Sequence, residues 1–255
     1  MSNMLSVRNL TVRFGGITAV DTASFDVAPG QTCGLIGPNG AGKTTAFNAI
    51  TGIYQPSSGT IELDGSRIDG RRPHQVVESG VGRTFQNLGL FESMSVVESV
   101  LVGTHILQRR NATDALIRPR STRRTAARNR EWALKLLDAV GLTGEHSTMA
   151  SALPFGSLKR LELARALASK PRLLLLDEPA NGLSSGESVE LATLLASLRI
   201  QFDLTMVIVE HHMPLVLELA DHLVVMDAGR VIAAGEPRSV VEDPRVIEAY
   251  LGAPV

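Results

Sequence analysis

Residues Gly37 to Thr44 read GPNGAGKT, and Thr45 repeats the hydroxyl one place on. This spacing fits the phosphate-binding loop pattern G-x-x-x-x-G-K-[ST] at every fixed position. Each residue type has a chemical reason to be there. The glycines let backbone N–H groups converge on an anion with no Cβ in the way, and a helix starting behind the loop adds positive partial charge. Lys43 can reach β- and γ-phosphates, and the Thr44 hydroxyl can ligate Mg²⁺. The candidate contacts to a nucleoside triphosphate are therefore Gly37, Pro38, Asn39, Gly40, Ala41, Gly42, Lys43, Thr44 and Thr45. A Gly-rich structural turn is the competing reading, and the flanks weigh against it. Thr32 to Ile36 is a short buried-strand run, and Thr44 to Ile50 reads as helix.

A second constellation follows far along the chain. Leu173 to Leu176 is an apolar strand that runs into Asp177 and Glu178. The strand places Asp177 at its C-terminal edge, beside the phosphate loop in a doubly wound sheet, where it can bind Mg²⁺ directly or through water. Glu178, one residue further, can orient or deprotonate an attacking water. Two acids after a buried strand also suit a solvated loop start, but the phosphate loop upstream favours the chemical role. His211 and His212 invite a metal site. Neighbouring side chains diverge and no Cys pair or HExxH accompanies them, so that site is not expected.

These residues need a frame. Met4 to Phe14, Val20 to Val27 and Gly59 to Leu63 have strand character and are separated by turn residues. Helix and strand then alternate. Pro73 to Ser79 reads as helix, Val81 to Thr84 as strand, Ser95 to Leu107 as helix. Arg123 to Val140 is a long helix with Trp132, Leu136, Leu137 and Val140 on an apolar face, where Trp132 is expected to pack in the core. Leu158 to Ser169 is another helix. Strands at Leu173 to Leu176, Thr205 to Val209 and Leu223 to Met226 alternate with helices at Glu187 to Arg199 and Met213 to Ala220. Such alternation predicts an α/β parallel sheet with covered faces, a β-rich N-terminal flank and a helical insertion from about Ser95 to Val140.

The 255 residues carry a formal net charge of -1, which leaves no overall basic footprint for nucleic acid. The single cysteine, Cys33, falls in a predicted central strand and is expected to be a buried, inert thiol in a cytosolic protein. No apolar run approaches the ~18 residues of a spanning helix, and Met1 to Leu10 lacks a signal-peptide layout. Any action at a membrane is then expected through partners.

The sequence LPFGSLKR from Leu153, continuing LELARALASKPRLLLLDEP, resembles the signature motif and Walker B block of ABC-type ATPases. VGRTFQN, Val81 to Asn87, resembles the Q-loop with Gln86 as its glutamine. Val209-Glu210-His211 resembles the switch-histidine segment, Ala180 to Ser184 the D-loop. Phe14 matches the aromatic residue on which these ATPases stack adenine. The resemblance runs from about Leu5 to Leu251, with six motifs in order. RTFQN, the Arg-bearing insertion, LPFG and the tail EDPRVIEAYLG look most like the larger ATPase subunit of branched-chain amino acid importers; related importers of urea and short amides carry similar ATPases.

The resemblance implies a P-loop NTPase (RecA-like) parallel sheet core with an N-terminal antiparallel β subdomain, in one ABC ATPase domain over 5–251 with a helical subdomain at about 95–165. It implies ATP and Mg²⁺ as ligands. Glu178, His211 and Gln86 take the catalytic positions, His211 as γ-phosphate sensor, and Thr44, Gln86 and Asp177 the metal positions. Gly156 faces the ATP of a second ABC ATPase subunit, identical or different. Transmembrane permease subunits are the implied partners, with no nucleic acid, at the inner face of the cell membrane. Two departures matter. Pro154 stands where most signatures have a serine and has no hydroxyl to donate, leaving the backbone around Gly156. Ser184 replaces the D-loop acid. Ser157 is read either as a ligand contact or as the N-cap of the helix that follows.

Arg109, Arg110, Arg118, Arg120, Arg123, Arg124, Arg128 and Arg130 make the insertion basic. A solvated face is one reading; contact with anionic headgroups or an acidic partner loop is the other. A soluble ABC ATPase for DNA repair or ribosome work is the rival class, but the fused second cassette or coiled-coil insertion common there is not seen. A GTPase would need an Asn-Lys-x-Asp segment, which the lysines at 43, 135, 159 and 170 do not provide.

Overall fold

The computed structural model describes residues 3–84, 93–104 and 119–251. The chain forms two compact units, one built from Met1–Arg83 and Arg172–Val255 and the other from Thr84–Pro171.

The first unit opens with a hairpin of β1 (Leu5–Phe14) and β2 (Ile17–Val27), joined at Gly15-Gly16. Together with β4 (Ser58–Leu63) and β5 (Ser66–Arg67) they make an antiparallel sheet in the order β2-β1-β4-β5. Leu5 and Val7 point inward, and then the alternation breaks. Asn9 has φ +48° where the β1 register shifts, a bulge that turns Leu10 and Val12 back into the core.

The second sheet holds β3 (Thr32–Ile36), β6 (Val81–Arg83), β7 (Leu173–Asp177), β8 (Thr205–Val209), β9 (His222–Asp227) and β10 (Arg230–Gly235). Its order is β10-β9-β3-β8-β7-β6, parallel throughout except for β10. Every residue of β3, β7 and β8 is buried, as a sheet covered on both faces requires. On one face, Ala46, Phe47 and Ile50 of α1 (Lys43–Ile50) share a core with Leu5 and Val7 of β1 and with Leu35, Val207 and Val224. Full burial of Phe47 alone contributes on the order of 1.5 to 3 kcal/mol. On the other face, Ile36, Leu223 and Val225 pack with Val216, Val240 and Val246. Burial pushes the Cys33 thiol up to about 12, so this cysteine is inert in its strand.

β7 is not the immediate neighbour of the strand that leads into the phosphate loop, because β8 separates β7 from β3. The strand ends are nonetheless aligned: Val209 of β8 registers with Leu35 of β3 on one side and with Asp177 of β7 on the other.

The other elements of this unit are α2 (Pro73–Glu78), with α6 (Ser185–Gln201), α7 (Met213–Leu219), α8 (Pro237–Val241) and α9 (Pro244–Leu251) after the second unit. The hairpin β9-β10 and the helices α8 and α9 were not among the predicted elements. Their sequence signals are Gly229 in the turn, where Ala228 and Gly229 take φ +43° and +82°, and the proline that begins each helix.

The Thr84–Pro171 unit contains α3 (Val96–Thr104), α4 (Pro119–Ala139) and α5 (Phe155–Leu167), which pack on one another. Ser95 and Glu98 form a capping box at the start of α3, the Glu98 carboxylate accepting from the Ser95 N–H at 2.8 Å. On α4, Ala133, Leu136, Leu137 and Val140 are buried, as the spacing predicts. Trp132 is only half-buried; its indole N–H donates to the Ala168 carbonyl at 3.3 Å, capping the end of α5, and the Lys170 ammonium lies 4.8 Å from its ring centre. The start of α5 also differs from expectation. The helix begins at Phe155 with Pro154 as N-cap, so Ser157 lies inside the first turn and is not the N-cap. Proline supplies no side-chain cap, but its fixed φ of -58° suits a helix entry.

Candidate functional site

The phosphate loop leaves β3 at Ile36 and enters α1 at Lys43, and two of its glycines are sterically compulsory. Gly37 has φ +147°, and a Cβ there would sit 2.0 Å from the Met226 carbonyl oxygen; Gly42 has φ +98°, and a Cβ there would meet the Ala19 carbonyl at 2.5 Å. The hairpin turn of β9-β10 steadies the loop: the Gly229 N–H donates to the Ala41 carbonyl at 3.1 Å, while the Asp21 N–H donates to the Gly229 carbonyl at 2.8 Å. Arg230 and Asp21 clamp the same corner through an ion pair at 2.6 Å.

Lys43 folds back over the loop, its ammonium donating to the carbonyls of Gly37 at 2.7 Å and Pro38 at 2.8 Å. Burial lowers its pKa, and the charge of Glu178 opposes that shift. Ala19, Asn39 to Thr45, Glu178 and His211 line a cleft of about 200 Å³. Glu178 and His211, 33 positions apart in sequence, are thus brought to the loop from the aligned ends of β7 and β8.

Glu178 continues the β7-β8 pairing, its N–H donating to the Val209 carbonyl at 2.8 Å, and then turns with φ +49° ahead of Pro179. A left-handed glutamate before proline is a strained backbone, of order 1 to 3 kcal/mol, held by the surrounding structure. That turn aims the carboxylate at the cleft. His211 Nε2 lies 3.0 Å from Glu178 Oε1.

Asp177 is 2% exposed, and its Oδ2 accepts from Arg83 at 2.7 Å. The same guanidinium reaches Asn48 at 2.6 Å and Thr51 at 3.1 Å and lies 5.8 Å from the centre of the Phe47 ring. Arg83 thereby ties the carboxylate at the end of β7 to the helix behind the phosphate loop. Sequence reasoning quoted Arg83, inside the strand predicted at Val81 to Thr84, without giving it a role.

Phe14 ends β1, 44% exposed, with the Tyr54 ring edge-on to its own at 4.9 Å. Gln86 lies outside the described residues, as do Arg109, Arg110 and Arg118. Gly156 is the second residue of α5, within the Thr84–Pro171 unit, and the helix start there carries no side-chain cap. Arg124, Arg128 and Arg130 are exposed along α4. Ser184, at the D-loop position, caps α6 in a second capping box, its N–H donating to the Glu187 carboxylate at 2.8 Å. Among the described residues no group of three or more His, Cys, Asp and Glu is placed to hold a metal.

A sequence profile described as ABC transporter matches residues 20–181, well over half of the chain. The chain belongs to the ABC transporter family. As an ABC-type ATPase it binds nucleotide and hydrolyses ATP. A second profile, described as branched-chain amino acid ATP-binding cassette transporter, matches residues 230–255. The high-affinity branched-chain amino acid transport ATP-binding protein BraF of Pseudomonas aeruginosa is 43% identical over 98% of both chains, and LivG of Escherichia coli, named in the same words, is 40% identical over 98% of both. Among solved structures, a nucleotide-free ATP-binding cassette from an ABC transporter superposes with a TM-score of 0.86 at 30% identity, covering 98% of this chain and 99% of that one. An ATP-binding cassette in its ADP conformation gives 0.85 at 30% identity, covering 99% and 100%. The fold of this ABC ATPase is therefore a P-loop parallel sheet with an N-terminal antiparallel sheet and an inserted helical unit.

Proposed function

We propose that this chain is the ATP-hydrolysing subunit of an importer for branched-chain or other hydrophobic amino acids. The cleft that holds the phosphate loop, Glu178 and His211 together carries the ATPase reading, and the names of the relatives support the cargo. In this reading the loop from Gly37 to Thr45 cradles the phosphates, Phe14 stacks the adenine, Glu178 takes the proton of the attacking water, and His211 senses the γ-phosphate. Thr44, Asp177 and Gln86 would hold Mg²⁺. The donor set fits that ion, because a hydroxyl, a carboxylate and an amide oxygen are the hard ligands it takes. Bound there, it neutralises charge on the β- and γ-phosphates. Lys43, already folded against the loop, exchanges its two carbonyl contacts for phosphate oxygens.

Two such subunits, identical or different, sandwich two ATP molecules, each phosphate loop facing the partner's signature segment at Gly156. Closure drives a permease in the membrane. No helix among the described residues is long and apolar enough to cross a membrane. In this reading attachment at the inner face is through that permease. Co-purification with a multi-spanning membrane protein, and uptake of labelled leucine by cells that express both, tests the assignment; a purified assembly that transports no hydrophobic amino acid overturns the cargo.

Two variants test the parts. Replacing Lys43 with Ala removes the cation facing the phosphates and is expected to weaken ATP binding at least tenfold, at about 1.5 to 3 kcal/mol for a hydrogen bond to a charged group, as measured by equilibrium titration. Unchanged affinity would take Lys43 out of its role. Gly156→Asp places a carboxylate where the partner's γ-phosphate must approach. In a Glu178→Gln background ATP is expected to give a dimer on size exclusion, alone or with a second ATPase subunit, and Gly156→Asp to abolish it. A nucleotide-dependent dimer that survives the aspartate contradicts the sandwich.

A further inference from the structure

Between the end of β8 and His211 stands Glu210, a carboxylate buried to 4% exposure. Burying such a group is costly unless hydrogen bonds replace its water, and here three backbone donors do so. Oε1 accepts the Ala180 N–H at 2.7 Å; Oε2 accepts the N–H of His211 at 2.9 Å and of His212 at 3.1 Å. Ala180 lies two residues beyond Glu178, so a single side chain ties the segment leaving Glu178 to the segment that carries His211. The His211 side chain is 43% exposed, and packing therefore cannot fix it. Its position depends on where its backbone is held. The helix that follows, α7, has His212 as N-cap with no side-chain cap bond, and Glu210 takes the N–H groups at that entrance instead.

We propose that Glu210 is a positioning residue for ATP hydrolysis: its carboxylate clamps the two loops so that His211 Nε2 meets Glu178 Oε1 at the edge of the nucleotide cleft. This rests on the reading of Glu178 and His211 as the reacting pair. Glu210 touches neither nucleotide nor water in this role; it acts through the backbones of Ala180 and His211. The two oxygens are both needed. Glutamine keeps the shape but carries an NH₂ on one side, which opposes either the Ala180 N–H or the N–H pair of His211 and His212.

The test is Glu210→Gln in the full chain, with ATP affinity measured by titration and turnover by phosphate release, including single-turnover runs. Turnover is expected to fall about tenfold to a hundredfold, the scale of an ångström-sized misplacement, while ATP affinity stays within about twofold. The same substitution in a His211→Ala background is expected to cost nothing further, because the His211–Glu178 contact that the clamp holds is gone. An equal loss in both backgrounds, a loss of ATP affinity along with turnover, or wild-type turnover in Glu210→Gln each overturns the clamp. Glu178→Gln run alongside separates the two readings. Wild-type turnover in that variant removes the reacting pair itself, whereas a dead Glu178→Gln beside a fully active Glu210→Gln removes the clamp alone.

Discussion

Glu178→Gln is expected to lower ATP turnover by roughly 10²-fold to 10⁴-fold while ATP binding stays near that of the native chain. Glutamine preserves the length and hydrogen-bonding shape of the side chain, so the contact with His211 at 3.0 Å can persist and the strained turn at φ +49° is unaffected. It cannot accept the proton of an attacking water. Binding is spared for a second reason. Glu178 lies within charge range of Lys43, and removing a negative group from a cleft that takes a polyanion eases, if anything, the approach of the phosphates. Phosphate release under saturating ATP is the measurement. Turnover matching the native chain would assign the proton transfer to another residue.

Arg83→Ala is expected to destabilise the fold by about 3 to 5 kcal/mol, the cost of breaking a buried ion pair from one side. The side chains of Arg83 and Asp177 are 10% and 1% exposed, so neither is screened by solvent as a surface pair would be. The loss also strips hydrogen bonds from Asn48 on α1 and from Thr51 at its C-cap. Against a typical total of about 5 to 15 kcal/mol this is a large fraction, and it appears as a lower midpoint in urea with the slope unchanged. Arg83→Lys keeps the charge but not the planar fork that spans α1 and β7, and an intermediate midpoint is expected. A midpoint for Arg83→Ala equal to that of the native chain contradicts the structural role given to the pair.

The two variants separate kinds of information. Glu178 was readable in the sequence because its position after an apolar strand repeats a chemical need: a carboxylate at a strand end near a phosphate loop. Arg83 was not, since its partners Asp177, Asn48 and Thr51 lie up to 94 positions away and no local pattern announces them. Glu210 was quoted beside His211 and passed over for the same reason. Its value comes from Ala180, thirty positions upstream.

The same division runs through the fold. Hydrophobic periodicity and turn residues determine the strands and helices, because alternation and 3.6-residue spacing are local consequences of which face must be buried. The phosphate loop is legible locally too, since its glycine spacing repeats what close backbone approach to a phosphate needs. The crowding of Gly37 and Gly42 by the Met226 and Ala19 carbonyls is a tertiary fact. The break in β1 at Asn9 and the true start of α5 at Phe155 depend on neighbours the local pattern does not contain. Strand order is the clearest case. Nothing in the apolar runs Thr32 to Ile36, Leu173 to Leu176 and Thr205 to Val209 says which lies in the middle, because all are buried on both faces and equally able to pair. Only the tertiary structure inserts β8 between β3 and β7, and so brings His211 and Glu178 from the ends of neighbouring strands to one edge of the loop that β3 carries.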